Sequence, residues 1–311
     1  MNSCLKYFST CLLATAALLV GASPAWAQTA PPLGTASSFA ALSGAGLTCT
    51  GSAIVGDVGS LLSVTGFPGY PAVLCTINGT VHVADATAIG AHGDVFGDGG
   101  TDSALASQAC DFNFTGVTEL AGLILPGATV SQPLSAGVYC FASAATLSGT
   151  LNLTGAGPWI FRTVSTLTTG ATSPGMAEVL VDGQANCGGG VFWQIGSSAT
   201  IGSNTTFVGD ILANQSIGFT GTNTSLVGGA FANIAAVTMT GTRITTCEGG
   251  GRGGKSKSKC NQGVGNGPEN CDPGNSNQDG HGSNPFNGAR NTNDELGGTP
   301  GNPGRKGGNI K

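Results

Sequence analysis

Three consecutive segments of this chain share one length and one internal rhythm. They are "VFWQIGSSATIGSNTTFVG" (191–209), "DILANQSIGFTGTNTSLVG" (210–228) and "GAFANIAAVTMTGTRITTC" (229–247), equal in length and without a gap between them. Each opens on apolar side chains, passes through small polar ones, sets two apolar residues two apart, and ends in another short strand-like run. Two upstream segments, 137–157 and 158–173, fit more loosely, with Phe141 aligned to Phe161 and Leu147 to Leu167. Self-similarity at a period of roughly 20 residues, with glycine at the corners, means that one small unit stacks on the next, which is the signature of an all-β solenoid. A β-sandwich also uses short strands, but does not return the same side-chain type at the same phase.

Alternation within each strand then assigns faces, because residues two apart share a side. Ala199 and Ile201, Ile217 and Phe219, and Val237 and Met239 are expected to point inward. Their neighbours point outward: Thr146 and Ser148, Thr166 and Thr168, Ser198 and Thr200, Gly218 and Thr220, Thr238 and Thr240. With strands about 4.7–4.9 Å apart and alternate residues about 6.5–6.8 Å apart, this predicts two columns of hydroxyls and methyls on a flat grid. No charged residue interrupts the five pairs. β-propensity accounts for a single T-x-T; five repeats of the pattern ask for a function.

The two ends differ from this middle. Residues 1–27 contain one basic residue (Lys6), an apolar run from Cys11 to Val20, and "AWA" just before Gln28. That reads as a secretory signal peptide, so the mature protein is expected outside the cell. No later stretch is apolar enough to span a membrane. Residues 248–311 are rich in Gly, Asn, Pro and Ser and poor in apolar side chains. Such a tail cannot offset its ordering entropy and is expected to be disordered. It is a spacer or a route to cell-surface association.

Between them, residues 28–247 form the expected folded domain. It holds two basic residues, Arg162 and Arg243, against ten acidic ones, and no lysine. A surface that cannot neutralise phosphates excludes nucleic acid as a partner. The absence of lysine also separates the domain from polysaccharide-degrading solenoid enzymes, which cluster Asp, Lys or Arg on one face.

Residues 28–247 hold no nucleophile elbow, P-loop or H-E-x-x-H run. Neither catalysis nor a cofactor is expected. "HGDVFGDGGTD" (92–102) gathers His92, Asp94, Asp98 and Asp102, but at a spacing that fits no EF-hand loop, and reads as a solvated turn. No metal site is assigned. Asp182 and Asp210 read as corner residues that accept hydrogen bonds from nearby backbone. Beyond the signal segment lie eight cysteines, Cys49, Cys75, Cys110, Cys140, Cys187, Cys247, Cys260 and Cys271. An even count in an exported chain favours disulfides. Connectivity does not follow from sequence; the working pairs are Cys49–Cys75, Cys110–Cys140, Cys187–Cys247 and Cys260–Cys271.

At "FWQIGSSATIGSNTTFVGDILA" (192–213) the chain resembles the secreted ice-binding proteins of the DUF3494 type. The resemblance continues through "GDVGSLLSVTGF" (56–67), "VHVADATA" (81–88), "LAGLILPGATVSQPLSAGVYCF" (120–141) and "WIFRTVSTLTTG" (159–170). It implies a β-helix of triangular cross-section with one α-helix along its side, at 83–96 and 103–110. Here "GDGGTD" (97–102) interrupts that position, so a short or broken helix is expected. Residues 35–80 would supply the remaining coil and a cap for the solenoid edge. In that family one flat face of Thr, Ser, Ala and Gly binds ice, which makes the ten outward residues above the candidates. The implied function is that of a monomeric antifreeze protein that adsorbs to the ice crystal surface and inhibits its growth and recrystallisation. The alternative is a secreted adhesion or extracellular-matrix solenoid without ice activity.

Overall fold

A computed structural model describes residues 28–247 apart from 73, 171–175 and 188–189. The signal segment, the tail and the Cys260–Cys271 pair lie outside the described residues. The chain winds into three parallel sheets of nine, eight and seven strands, here called faces A, B and C. One coil runs through Val191–Ile195 on face A, Ala199–Ile201 on face B and Thr205–Val208 on face C. The next runs through Asp210–Ala213, Ile217–Phe219 and Thr224–Val227 on the same faces, giving a triangular β-helix.

Glycine and asparagine turn the corners. Gly209 and Gly228 have φ of +115° and +147°, and a Cβ there would lie 2.7 Å and 2.2 Å from backbone oxygens of the adjacent coil. Only glycine allows that approach. Asn204 and Asn223 sit in the left-handed region (φ 54° and 58°) and are laddered, Nδ2 of Asn223 donating to Oδ1 of Asn204 at 3.2 Å. Asp182 accepts from the Gly155 N–H at 3.1 Å, and Asp210 from the Gly229 N–H at 2.9 Å. Both serve the corners, as their positions suggested.

The inward side chains fill the triangle. Phe112, Tyr139, Phe161 and Trp193 stack along face A, with ring centroids 5.0, 5.2 and 4.2 Å apart, and Phe207 packs on Trp193 at 4.7 Å. Offset stacks of this kind add to the burial of large apolar surface. Their polar atoms are satisfied: Trp193 Nε1 donates to the Val208 carbonyl and Tyr139 Oη to the Ser135 carbonyl. Burial pushes the Tyr139 phenol up to about 12. Ala199, Ile201, Ile217, Phe219, Val237 and Met239 are all buried in this core, on the side the alternation assigned.

Face A is covered on its outer side as well. Leu42, Val138, Ile160, Phe192, Leu212 and Phe231 form a second apolar cluster with Ala88, Ala91, Val95 and Leu105 of two helices. These are α1 (Ala86–Phe96) and α2 (Thr101–Ala106), and the break at 97–100 falls in the glycine run that predicted it. Asp85 caps α1, accepting from the Ala88 N–H at 2.8 Å. That bond, ahead of the contact with His82, holds its carboxyl below the usual value.

Three disulfides link Cys49–Cys75, Cys110–Cys140 and Cys187–Cys247, with Cα–Cα distances of 6.1, 5.8 and 5.6 Å. They match the working pairs.

Two features depart from the sequence reading. The upstream coils are offset by more than the repeat alignment assumed: Tyr139, not Phe141, pairs with Phe161, and Ala145, not Leu147, pairs with Leu167. The two-residue error preserved every inward and outward assignment, because side chains alternate with a period of two. Stacking order also differs from chain order. The first coil lies beside the last, with Ala41 paired to Ala230, Thr48 to Thr238 and Ile54 to Ile244.

Candidate functional site

With face A covered, faces B and C remain as open sheet surfaces among the described residues. On face C the outward column reads Thr150, Glu178, Thr206, Ser225, Arg243, Ala53 and Thr76. It carries both signs of charge. On face B the corresponding central column reads Glu119, Thr146, Thr168, Thr200, Gly218, Thr238, Thr48 and Thr65. Threonine occupies six of these eight ranks.

The ten outward candidates all lie on face B, but the register distributes them over three columns rather than two. Thr146, Thr168, Thr200, Gly218 and Thr238 stand in the central one. Thr166 and Ser198 fall two residues before it, beside Ser216, whose hydroxyl lies 2.9 Å from that of Ser198. Ser148, Thr220 and Thr240 fall two residues after it, and Thr240 pairs with Thr50. Two slips of two residues explain the difference, one between the Thr146 and Thr168 ranks and one between the Thr200 and Gly218 ranks; they left the face correct and misaligned the columns.

Sequence reasoning missed both ends of the column. Thr48 and Thr65 extend it through the N-terminal coil and the strand beside it, with Thr50 and Ser63 in the columns on either side. "GLTCT" (46–50) shows the T-x-T alternation, but it lies at the opposite end of the domain sequence from Thr238, which hides their adjacency. At the opposite end of the column stands a carboxylate, Glu119, in register with Thr146. The expectation of an uncharged surface therefore holds for the five pairs but not for the whole column. Glu119 Oε2 accepts from Thr146 Oγ1 at 3.0 Å and Ser148 Oγ at 3.1 Å. Its Oε1 accepts from the Ser148 and Ala121 N–H groups at 2.9 and 3.0 Å.

Of the other polar residues singled out, His92, Asp94, Asp102 and Arg162 are taken up by packing. Asp94 accepts from the backbone N–H and hydroxyl of Thr35, both at 2.7 Å, and His92 Nε2 lies 3.0 Å from the Asn233 carbonyl. Asp102 accepts from Gln194 Nε2 at 3.0 Å. Arg162 donates to Gln194 Oε1 at 2.9 Å and to the Gln108 carbonyl at 2.8 Å, and burial lowers its pKa. This network lines a groove of about 560 Å³ and ties α2 to face A. Among the described residues no group of three or more His, Cys, Asp or Glu could hold a metal ion. No described helix is long and apolar enough to cross a membrane.

Face B thus presents a rigid plane whose side chains are neither strongly hydrated nor wholly apolar. Threonine sets an apolar methyl beside a hydroxyl that donates and accepts. Ordered water held between such groups carries recognition nearly as well as direct hydrogen bonds.

Comparison with known proteins gives the family. The family model described as "Ice-binding-like" matches residues 41–245. An ice-binding protein of Nostoc sp. (strain HG1) is 38% identical over 221 residues, covering 68% of this chain and 73% of the relative. The crystal structure of an ice-binding protein from the Antarctic ascomycete Antarctomyces psychrotrophicus aligns with TM-score 0.56 and 30% identity, over 70% of this chain and 98% of that one. The DUF3494 domain of Shewanella frigidimarina ice-binding protein 1 aligns with TM-score 0.55 and 27% identity, over the same shares. A triangular β-helix with a helix pair along one face, matched to the family model over most of its described length, identifies the chain as a member of the ice-binding-like family.

Proposed function

We propose that the protein is a secreted antifreeze protein that adsorbs to ice through face B and slows ice growth and recrystallisation. The observation that carries this reading is the in-register central column, threonine or glycine from Thr146 to Thr65, on the open sheet without charge along its length. The ten predicted residues and the newly found Thr48, Thr50, Ser63 and Thr65 make up its surface. A grid held on a disulfide-linked solenoid loses little entropy on adsorption. Pinning of the ice front by adsorbed molecules then halts growth between them. Secretion is supported by the three disulfides, which form in oxidising compartments. No catalytic role is proposed, and the mature chain acts as a monomer.

The test is thermal hysteresis and ice recrystallisation inhibition by the purified mature chain, with Thr200→Tyr and Thr238→Tyr alongside. Both variants are expected to fold, because these side chains are exposed, and to lose most of the activity. Well-folded wild-type protein without ice activity would leave the adhesion alternative in its place. Tyrosine variants with full hysteresis would move the site to another face.

A further inference from the structure

The two ends of the threonine column are chemically unlike. At the Thr65 end it finishes on uncharged side chains, with Ser63 paired to Gly46 in the adjoining column. At the other end it runs into Glu119, whose carboxylate accepts three hydrogen bonds from the last threonine rank and a fourth from the Ala121 N–H. Two of those donors are the hydroxyls of Thr146 and Ser148. A hydroxyl has one proton to give, so these two have spent theirs on the carboxylate and offer water only lone pairs. Among the described residues, the hydroxyls of Thr48, Thr168, Thr200 and Thr238 make no hydrogen bond to protein. The carboxylate also keeps a tight hydration shell, which is costly to strip and out of step with an ice lattice.

From this we infer that Glu119 terminates the ice-adsorbing surface. The working plane runs from Thr168 to Thr65, and the Thr146 rank, though in register with it, contributes weakly because Glu119 holds its hydroxyls and anchors liquid-like water over it. This inference rests on the reading of face B as the ice-binding face. It makes Glu119 a residue that sets the extent of the surface without being part of it, and it predicts that removing the charge lengthens the plane by about one strand spacing, roughly 4.8 Å.

The experiment is a double-mutant cycle on the mature chain, read as ice-adsorption affinity and thermal hysteresis, with circular dichroism and Tm recorded for each variant. In the wild-type background Thr168→Tyr is expected to lower adsorption about ten-fold, and Thr146→Tyr by no more than about two-fold. In the Glu119→Thr background Thr146→Tyr is expected to become as costly as Thr168→Tyr. Glu119→Thr alone should raise adsorption about two-fold, in line with the added rank. Glu119→Gln, which keeps the shape and an accepting oxygen but not the charge, guards against a loosened edge and should move adsorption in the same direction with Tm retained. Thr146→Tyr as damaging as Thr168→Tyr in the wild-type background would overturn the inference. So would a Thr146→Tyr cost that stays small once Glu119 is replaced. A Thr168→Tyr variant with undiminished adsorption would instead reject the assignment of face B, whatever Glu119 does.

Discussion

Faces B and C are built from the same coils, exposed to the same solvent and held by the same core, yet their outward columns diverge. Face B repeats threonine at Thr168, Thr200, Thr238, Thr48 and Thr65, whereas face C sets Glu178, Ser225, Arg243 and Ala53 among its threonines. If threonine were present only because it suits an exposed strand, both faces would carry it equally. One face is nearly uniform while the other is mixed, so uniformity is a property of one surface and not of the solenoid.

The comparison can be broken most forcefully from inside. Trp193 lies in the core with its indole stacked on Phe161 and packed against Phe207 of the face C strand. Trp193→Ala should cost about 3–5 kcal/mol of stability and lower thermal unfolding temperature and ice activity together; retained activity in an unfolding-prone variant would mean that rigidity of the stack is dispensable. Next in size is the Cys49–Cys75 link, which ties the N-terminal face B strand across a separation of 26 residues. Replacing both cysteines by alanine should cost about 3–4 kcal/mol by loop entropy. Because Thr48 stands on that strand and Thr65 on the strand beside it, hysteresis should fall further than the loss of folded protein explains.

A direct comparison of the two surfaces comes from matched substitutions. Thr200→Tyr on face B should lower ice adsorption about ten-fold, a difference of about 1.4 kcal/mol, while Thr206→Tyr, outward on face C in the same coil, should leave it within error. Equal losses would erase the distinction between the faces. The smallest effect concerns neither surface. The Thr35 hydroxyl and N–H hold the Asp94 carboxyl below its ordinary value of 3.8. A folded-state pKa below the unfolded one contributes stability that is present above about pH 3.8 and is lost as pH falls through the folded value. Acid titration of unfolding should therefore show a modest drop below pH 3.8 that Asp94→Asn removes, with ice activity per folded molecule unchanged.

How much of this was legible beforehand depends on the length scale of the interaction. The inward set around Ala199, Ile217 and Val237 was readable because it follows from alternation within one strand. The helix break at 97–100 was readable because glycine acts locally. The three described disulfides agreed with the working pairs, though spacing alone would not have chosen them. The columns of face B were not readable in the same way. Register between coils is set by corner insertions, and an error of two residues costs nothing in the burial pattern, so the repeat alignment sets Thr146 beside Thr166 and Ser148 beside Thr168, whereas Thr146 pairs with Thr168, and Thr166 and Ser148 stand on opposite sides of that pair.

By itself the sequence determined the solenoid, the side of each strand that faces the core, the absence of charge from five successive outward pairs and the family to which the chain belongs. All of these are carried by neighbours within a strand or by segments that repeat along the chain. Only the tertiary structure decided where the open face begins and ends. It brought Thr48 beside Thr238, from opposite ends of the domain, and set Glu119 across Thr146. The physical reason is that a parallel solenoid extends its sheets by hydrogen bonds between coils, and those bonds join whichever strands are stacked, however far apart they lie along the chain.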